Sequence, residues 1–190
     1  MVKVQPLTNT YEIKKILISL KKESPRDYYI TTIALTTGLR ISDILDLKIE
    51  QFRDSPEITI IERKTNKRKC VMLSNKLRNM ILNYCKNRRS YEYLFKSSKV
   101  SKDKIHKNIP MTRQGYYKSI NKIVKLKDKN LNAHTLRKTY AYWALNETNN
   151  LPLITKCLNH SSQRVTLDYL GINQEEINNV TKKLEKRFLK

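Results

Sequence analysis

The sequence predicts a mainly α-helical fold with a small antiparallel β-sheet, an α+β chain, on three observations. Apolar residues recur at intervals of three and four along most of the chain, the period of amphipathic helices. One stretch, Glu57 to Leu73, changes to two β-rich runs around a polar turn. Only 3 Gly and 5 Pro occur in 190 residues, too few for an architecture built mainly of tight turns between strands. With 39% hydrophobic residues the chain has enough apolar surface for a core. No internal repeat and no dividing linker is visible.

Taken in order, "TYEIKKILISLKK" places Ile13, Ile16, Leu17 and Leu20 on one helical face, with Thr10 as the expected N-cap. Ser24-Pro25 opens a second helix, because proline is tolerated in a first turn, and it runs through "YYITTIALTT" to Gly38, a residue suited to end it. Runs Glu57 to Arg63 and Arg68 to Leu73 flank Thr65-Asn66 and predict a β-hairpin. "KLRNMILNYC" returns to helix through Leu77, Met80, Ile81 and Tyr84. The lysine-rich stretch from Lys96 to Lys107 lacks periodicity and reads as a solvated loop, there for solubility or for phosphate contact. Helices follow near Arg113 to Val124, Thr135 to Leu145, Pro152 to Leu158, Ser162 to Leu170 and Gln174 to Phe188.

Charge narrows the function. The chain has 39 Lys and Arg against 17 Asp and Glu, a formal net charge of +22. Such a field repels itself and calls for a polyanionic partner, nucleic acid or an anionic membrane surface. No apolar run approaches the roughly 20 residues of a membrane span, and no signal-peptide core or lipidation motif appears, so nucleic acid in the cytoplasm or nucleoid is the expected setting. Cys70, Cys85 and Cys157 show no ligand spacing, which implies neither a metal site nor a disulfide and suits a reducing compartment.

Four short stretches carry cations or imidazoles in suggestive places: "TGLRIS" with Arg40, "RKTNK" with Lys64, "HTLRK" with His134 and Arg137, and "LNHSS" with His160. His134 and Arg137 are three residues apart and project from one helix face, where they can hold one anion between them. A guanidinium suits bidentate contact with phosphate oxygens. The stretch "LNHSSQRVTLDYLGI" adds Tyr169 nine residues after His160.

These boxes resemble the catalytic domain of the tyrosine recombinases, the family of phage integrases and chromosome-dimer resolvases, over nearly the whole chain. "TTGLRISDILDL", "KTNK", "HTLRKTY" and "LNHSSQRVTLDYLGI" stand in the family's order. The resemblance implies the tyrosine recombinase catalytic domain fold and double-stranded DNA as the substrate. It makes Tyr169 the nucleophile that forms a 3′-phosphotyrosyl intermediate, and Arg40 and Arg137 the clamp on the non-bridging oxygens. Lys64 becomes the acid for the departing 5′-oxygen, His134 the acid/base assistant and His160 a hydrogen-bond donor to phosphate. Asp43 is expected to support Arg40. This chemistry needs no metal and no cofactor, because fixed cations neutralise the pentacoordinate phosphate.

Asn159 stands where the family usually has glycine, and Lys138 where many members have a second histidine. The chain reads as one catalytic domain over 1–190 with no N-terminal core-binding domain, either an excised domain or one of the short recombinases that invert fimbrial switches. Two other readings are a type IB topoisomerase-like strand transferase and a catalytically silent DNA-binding regulator.

In the tail, Ile177, Val180, Leu184 and Phe188 form one apolar stripe, with Glu175 and Glu176 near the helix start and Lys186 and Arg187 near its end. The stripe either packs on its own core or, as the resemblance implies, docks on a neighbouring protomer, with Gly171 as the hinge and a tetramer forming on DNA.

Overall fold

In a computed structural model, residues 4–97, 108–124, 131–132, 134–172 and 174–189 are described, with the side chains of 174–177 left aside. The chain divides into two compact units, residues 1–140 and 141–190. Their boundary falls inside a helix, so no linker composition marks it.

The first unit opens with α1 (Thr10–Glu23) and α2 (Pro25–Thr37). Asn9, and not Thr10, caps α1: its side chain accepts the Tyr11 N–H at 2.8 Å and Thr10 is the first helical residue. Both residue types can cap, and the choice depends on which one holds the extended backbone, here Asn9 at φ −100°. Ser24 caps α2 as its position suggested.

The helix α2 is buried on several sides, through Ile30, Thr31, Ile33, Ala34 and Thr37. It therefore shows little amphipathic pattern, and its threonines satisfy their own hydroxyls. Thr31 donates to the Asp27 carbonyl at 2.7 Å and Thr37 to the Ile33 carbonyl at 2.6 Å.

Next come α3 (Ile41–Leu45) and a 3₁₀ turn (Ile49–Phe52), neither of which the periodicity predicted. Both are too short to express a helical period, yet Ile44, Ile49 and Phe52 are fully buried. The predicted hairpin is present as β1 (Glu57–Ile61) and β2 (Arg68–Met72), antiparallel with Glu57 opposite Met72 and Ile61 opposite Arg68. Its strands end earlier than expected because Arg63 leaves the ladder. The Arg63 N–H goes to Asp43 Oδ1 at 3.2 Å and its guanidinium to Asp46. Asn66 takes the left-handed turn conformation at φ 52°, which asparagine tolerates.

The unit is completed by α4 (Asn75–Tyr84), α5 (Arg113–Ile123) and the start of α6 (Thr135–Thr148). Its core runs from Leu20, Ile30 and Ile33 through Phe52 and Ile81 to Phe95 and Ile120. Burying each such side chain contributes about 1.5–3 kcal/mol. A polar seam lies within this core: Tyr116 Oη and Thr31 Oγ1 are 2.8 Å apart, and buried Asp27 accepts Ser119. Lys96 pairs with Glu92 at 2.6 Å, while residues 98–107 of the predicted lysine-rich loop lie outside the described ones.

The second unit holds the end of α6, which continues to Thr148, three residues beyond the expected stop. It adds α7 (Leu151–Cys157), α8 (Gln163–Leu170) and α9 (Gln174–Phe188). Ser162 caps α8 instead of beginning it, accepting the Val165 N–H. Gly171 ends α8 at φ 84°, with its N–H and that of Ile172 returned to the Leu167 carbonyl. In α9, Val180, Leu184 and Phe188 are exposed. No helix among the described residues is long and apolar enough to cross a membrane.

Gly38 leaves no room for a side chain. It ends α2 at φ 63°, and a Cβ placed there would sit 2.3 Å from Cδ1 of Tyr140. Gly38→Ala is expected to destabilise the chain by about 3 kcal/mol, adding left-handed strain to steric overlap. Urea unfolding checks this, and a midpoint equal to wild type would contradict the packing described.

Candidate active site

Most of the expected site residues of the first unit are positioned by the turn after α2 and by the first turn of α6. Arg40 follows the Gly38 turn and precedes α3, its carbonyl accepting the N–H groups of Asp43 and Ile44. Its guanidinium faces two carboxylates: Nη1 lies 2.5 Å from Glu62 Oε1 and 4.0 Å from Asp43 Oδ2. Asp43 thus stands beside Arg40 as expected. The nearer carboxylate, Glu62, was not anticipated, and it is 0% exposed. Burial raises the Asp43 pKa, a rise opposed by the Arg63 N–H and by Arg40.

Arg137 lies on α6, 4% exposed, and donates from Nη1 to the Gly38 carbonyl at 2.8 Å. One bond therefore ties the second arginine to the turn that carries the first. His134 sits just ahead of α6, where the Asn132 side-chain oxygen accepts its N–H at 2.9 Å and that of Thr135 at 3.3 Å. Asn121 on α5 clasps Leu131 through both backbone groups, fixing the approach to that helix start. Lys64 is exposed in the hairpin turn.

These groups converge. Partial desolvation holds the His134 pKa below the usual imidazole range, and the positive charges of Lys138, Lys64, Arg137 and Arg40 lower it further. All four cations are near enough to act on the His134 imidazole. Lys138, which replaces the family's second histidine, is buried within this group and adds a fixed charge where an imidazole would add a titratable one. Neutral His134 can accept a proton at physiological pH, while the cations and the N-terminus of α6 suit an anion.

The second unit brings His160 and Tyr169 together. Their rings meet edge to face, centroids 5.3 Å apart, and the tyrosine is half-buried on α8. Asn159 adopts φ 56°, the left-handed region, which explains why a glycine is usual there and why asparagine serves. Thr166, part of the box but assigned no role from sequence, is fully buried, with Oγ1 3.0 Å from His160 Nδ1 and 3.0 Å from Thr155 Oγ1. In the tautomer protonated on Nε2, Nδ1 accepts the Thr166 hydroxyl. Among the described residues no group of three or more His, Cys, Asp or Glu is arranged to hold a metal ion.

The model of the phage integrase family matches residues 7–176. The chain belongs to that family. It is a tyrosine recombinase catalytic domain, mostly helical with a two-stranded antiparallel sheet. It is 30% identical over 173 residues to the probable integrase/recombinase YoeC of Bacillus subtilis (strain 168), covering 90% of this chain and 92% of that one. The fold matches the crystal structure of XerA recombinase with a TM-score of 0.70 at 19% identity, over 96% of this chain and 65% of that one. It also matches XerH site-specific recombinase bound to palindromic difH substrate, TM-score 0.68 at 22% identity, over 96% of this chain and 54% of that one. The phage integrase chain thus spans nearly all of YoeC and about half to two thirds of the two Xer proteins.

The His134 environment sets a pH signature. Its folded-state pKa is depressed, so stability from the neutral ring is complete above the unfolded value of about 6.5 and is lost as pH falls through the folded one. The base form likewise survives below that value. In Lys138→Gln the first charge on His134 is gone, and the acid limb of the cleavage rate is expected to move to higher pH than in wild type. A pH–rate profile checks this, and an unmoved limb would separate His134 from the acid-side titration.

Proposed function

We propose that this chain is a site-specific DNA recombinase that breaks and rejoins strands through a 3′-phosphotyrosyl intermediate at Tyr169, without a metal ion. The observation that carries the reading is a cluster: Arg137 is bonded to the turn that leads to Arg40, His134 stands at the start of the same helix, and Lys64 and Lys138 act on its imidazole. Such a cluster supplies the charge that a pentacoordinate phosphate requires, in a partly water-excluded setting where fixed cations count for more than in water.

Arg40 and Arg137 hold the non-bridging oxygens. Both are oriented by protein groups on one side, Arg40 by Glu62 and Arg137 by the Gly38 carbonyl, so little reorganisation accompanies phosphate binding. His134 takes the Tyr169 proton, which matters because a free phenol with a pKa of about 10 is largely protonated at pH 7. Attack forms the Tyr169–phosphorus bond and breaks the bond to the 5′-oxygen, which leaves with a proton from Lys64. His160 donates from Nε2 to a phosphate oxygen. A 5′-hydroxyl of a second strand then reverses the step, because the phosphodiester energy is retained in the phosphotyrosyl bond.

Double-stranded DNA is the partner, in keeping with the charge of +22. The two units serve together as the catalytic domain. On DNA the protein assembles into dimers and then a tetramer through α9, whose Val180, Leu184 and Phe188 are exposed, Phe188 to 71%. An apolar stripe of this kind on a helix fits a groove on another copy.

A nicked suicide substrate tests the chemistry. The wild-type protein is expected to form a covalent DNA adduct in EDTA, and Tyr169→Phe to form none while binding DNA nearly as well. Arg40→Ala and Arg137→Ala should each slow adduct formation by about two decades, the equivalent of about 3 kcal/mol at the transition state. Full adduct yield from Tyr169→Phe would falsify the assignment of the nucleophile.

Removing the chain after Asn173 tests the assembly. DNA binding should persist while recombination and tetrameric synapses on native gels disappear. Recombination at the full-length rate by the truncated protein would return α9 to a role within its own chain.

A further inference from the structure

We infer that Glu62 is a positioning residue that holds Arg40 and the Lys64-bearing turn in one frame, an inference that rests on the strand-cleavage reading above. Glu62 follows β1 directly and joins two parts of the site that are 24 positions apart in sequence, Arg40 and Lys64. One carboxylate oxygen, Oε1, faces Arg40 Nη1 at 2.5 Å; the other, Oε2, accepts the Thr65 hydroxyl at 2.8 Å. Its backbone makes the turn as well. The Glu62 carbonyl accepts the N–H of Thr65 at 3.3 Å and of Asn66 at 2.8 Å, and its own N–H goes to the Lys67 carbonyl at 3.0 Å.

Lys64 is exposed, so the direction in which its ammonium points depends on the turn beneath it. A second strut runs parallel. Asp43, 4.0 Å from Arg40, accepts the Arg63 N–H at 3.2 Å, so the residue between Glu62 and Lys64 is also tied back toward α3. The hairpin end and Arg40 thus share two carboxylates, Glu62 and Asp43.

Energetics point the same way. A buried ion pair recovers little more than the cost of removing its charges from water, so its retention is weak evidence for a stabilising role. The geometry, in contrast, uses both oxygens for different partners. Aspartate is one methylene shorter and glutamine presents an amide nitrogen to one of two donors, so neither reproduces it.

The experiment compares two DNA substrates, one with the ordinary scissile phosphate and one in which sulfur replaces the bridging 5′-oxygen. A thiolate departs without a proton, so the sulfur substrate bypasses Lys64 and leaves the demand on Arg40 intact. Thr65→Val removes only the turn end of the Glu62 contact. It is expected to cleave the oxygen substrate about tenfold or more slowly and the sulfur substrate within about threefold of wild type. Glu62→Gln should lose on both, with the smaller loss on sulfur, because Arg40 is disturbed as well. Thermal melts establish that each variant is folded. Equal losses on the two substrates in folded Thr65→Val, or wild-type rates on both in Glu62→Gln, would overturn the inference and leave Glu62 as a part of the hairpin only. Wild-type protein that forms no adduct with either substrate would instead overturn the strand-cleavage reading.

Discussion

The hydrogen bond from Arg137 to the carbonyl of Gly38 is the constraint from which the first unit's site is built. It spans 99 positions and joins the helix that carries His134 and Arg137 to the turn that leads to Arg40. The turn can accept that bond because Gly38 occupies the left-handed region, and the helix can approach because Gly38 has no Cβ to meet the Tyr140 ring. Backbone conformation, ring packing and guanidinium direction are thus three aspects of one contact. The bond fixes one end of a side chain that otherwise carries about 2 kcal/mol of rotamer entropy.

Gathering cations is the second problem this unit solves. Arg40, Lys64, Arg137 and Lys138 all act on His134, and like charges so placed repel one another in the absence of DNA. Two buried carboxylates offset this repulsion, Glu62 at 2.5 Å and Asp43 at 4.0 Å from Arg40. The imidazole responds by favouring its neutral form. The arrangement keeps one imidazole neutral beside positive charges, and an imidazole in that form can accept a proton.

In the second unit the ordering is local. His160 and Tyr169 lie on either side of a helix start, and buried Thr166 links the histidine ring to Thr155 on α7. Asn159 supplies the left-handed turn before the histidine. The α7–α8 corner, capped by Ser162, therefore sets the direction of both rings over eleven residues of chain, from Asn159 to Tyr169.

How much of this was legible in the sequence follows from the range of each interaction. Helices with one apolar face declare themselves by period, as α1, α4, α5 and α9 did, whereas α2, buried on several sides, shows little pattern; the hairpin declared itself by β-rich runs around Thr65-Asn66. Gly38 and Gly171 were readable as helix ends because left-handed backbone has few suitable residues. The boxes offered Arg40, Lys64, His134, Arg137, His160 and Tyr169 as candidates, since reactive groups are drawn from a small chemical alphabet.

Tertiary structure decided the rest. Glu62 looked like an ordinary polar residue at the end of a strand, and only the fold turns its carboxylate onto Arg40. Lys138 showed as a departure from pattern, but its effect on His134 depends on their separation in space. The α3 helix and the 3₁₀ turn were invisible because two short turns carry no period, although both bury large side chains. Asn9 and Thr10 compete for one cap, and the choice belongs to backbone angles. The boundary between the units falls within α6, where continuous helical sequence gives no sign of a division in contacts. Local chemistry is written residue by residue, whereas which charge meets which is a property of the folded chain.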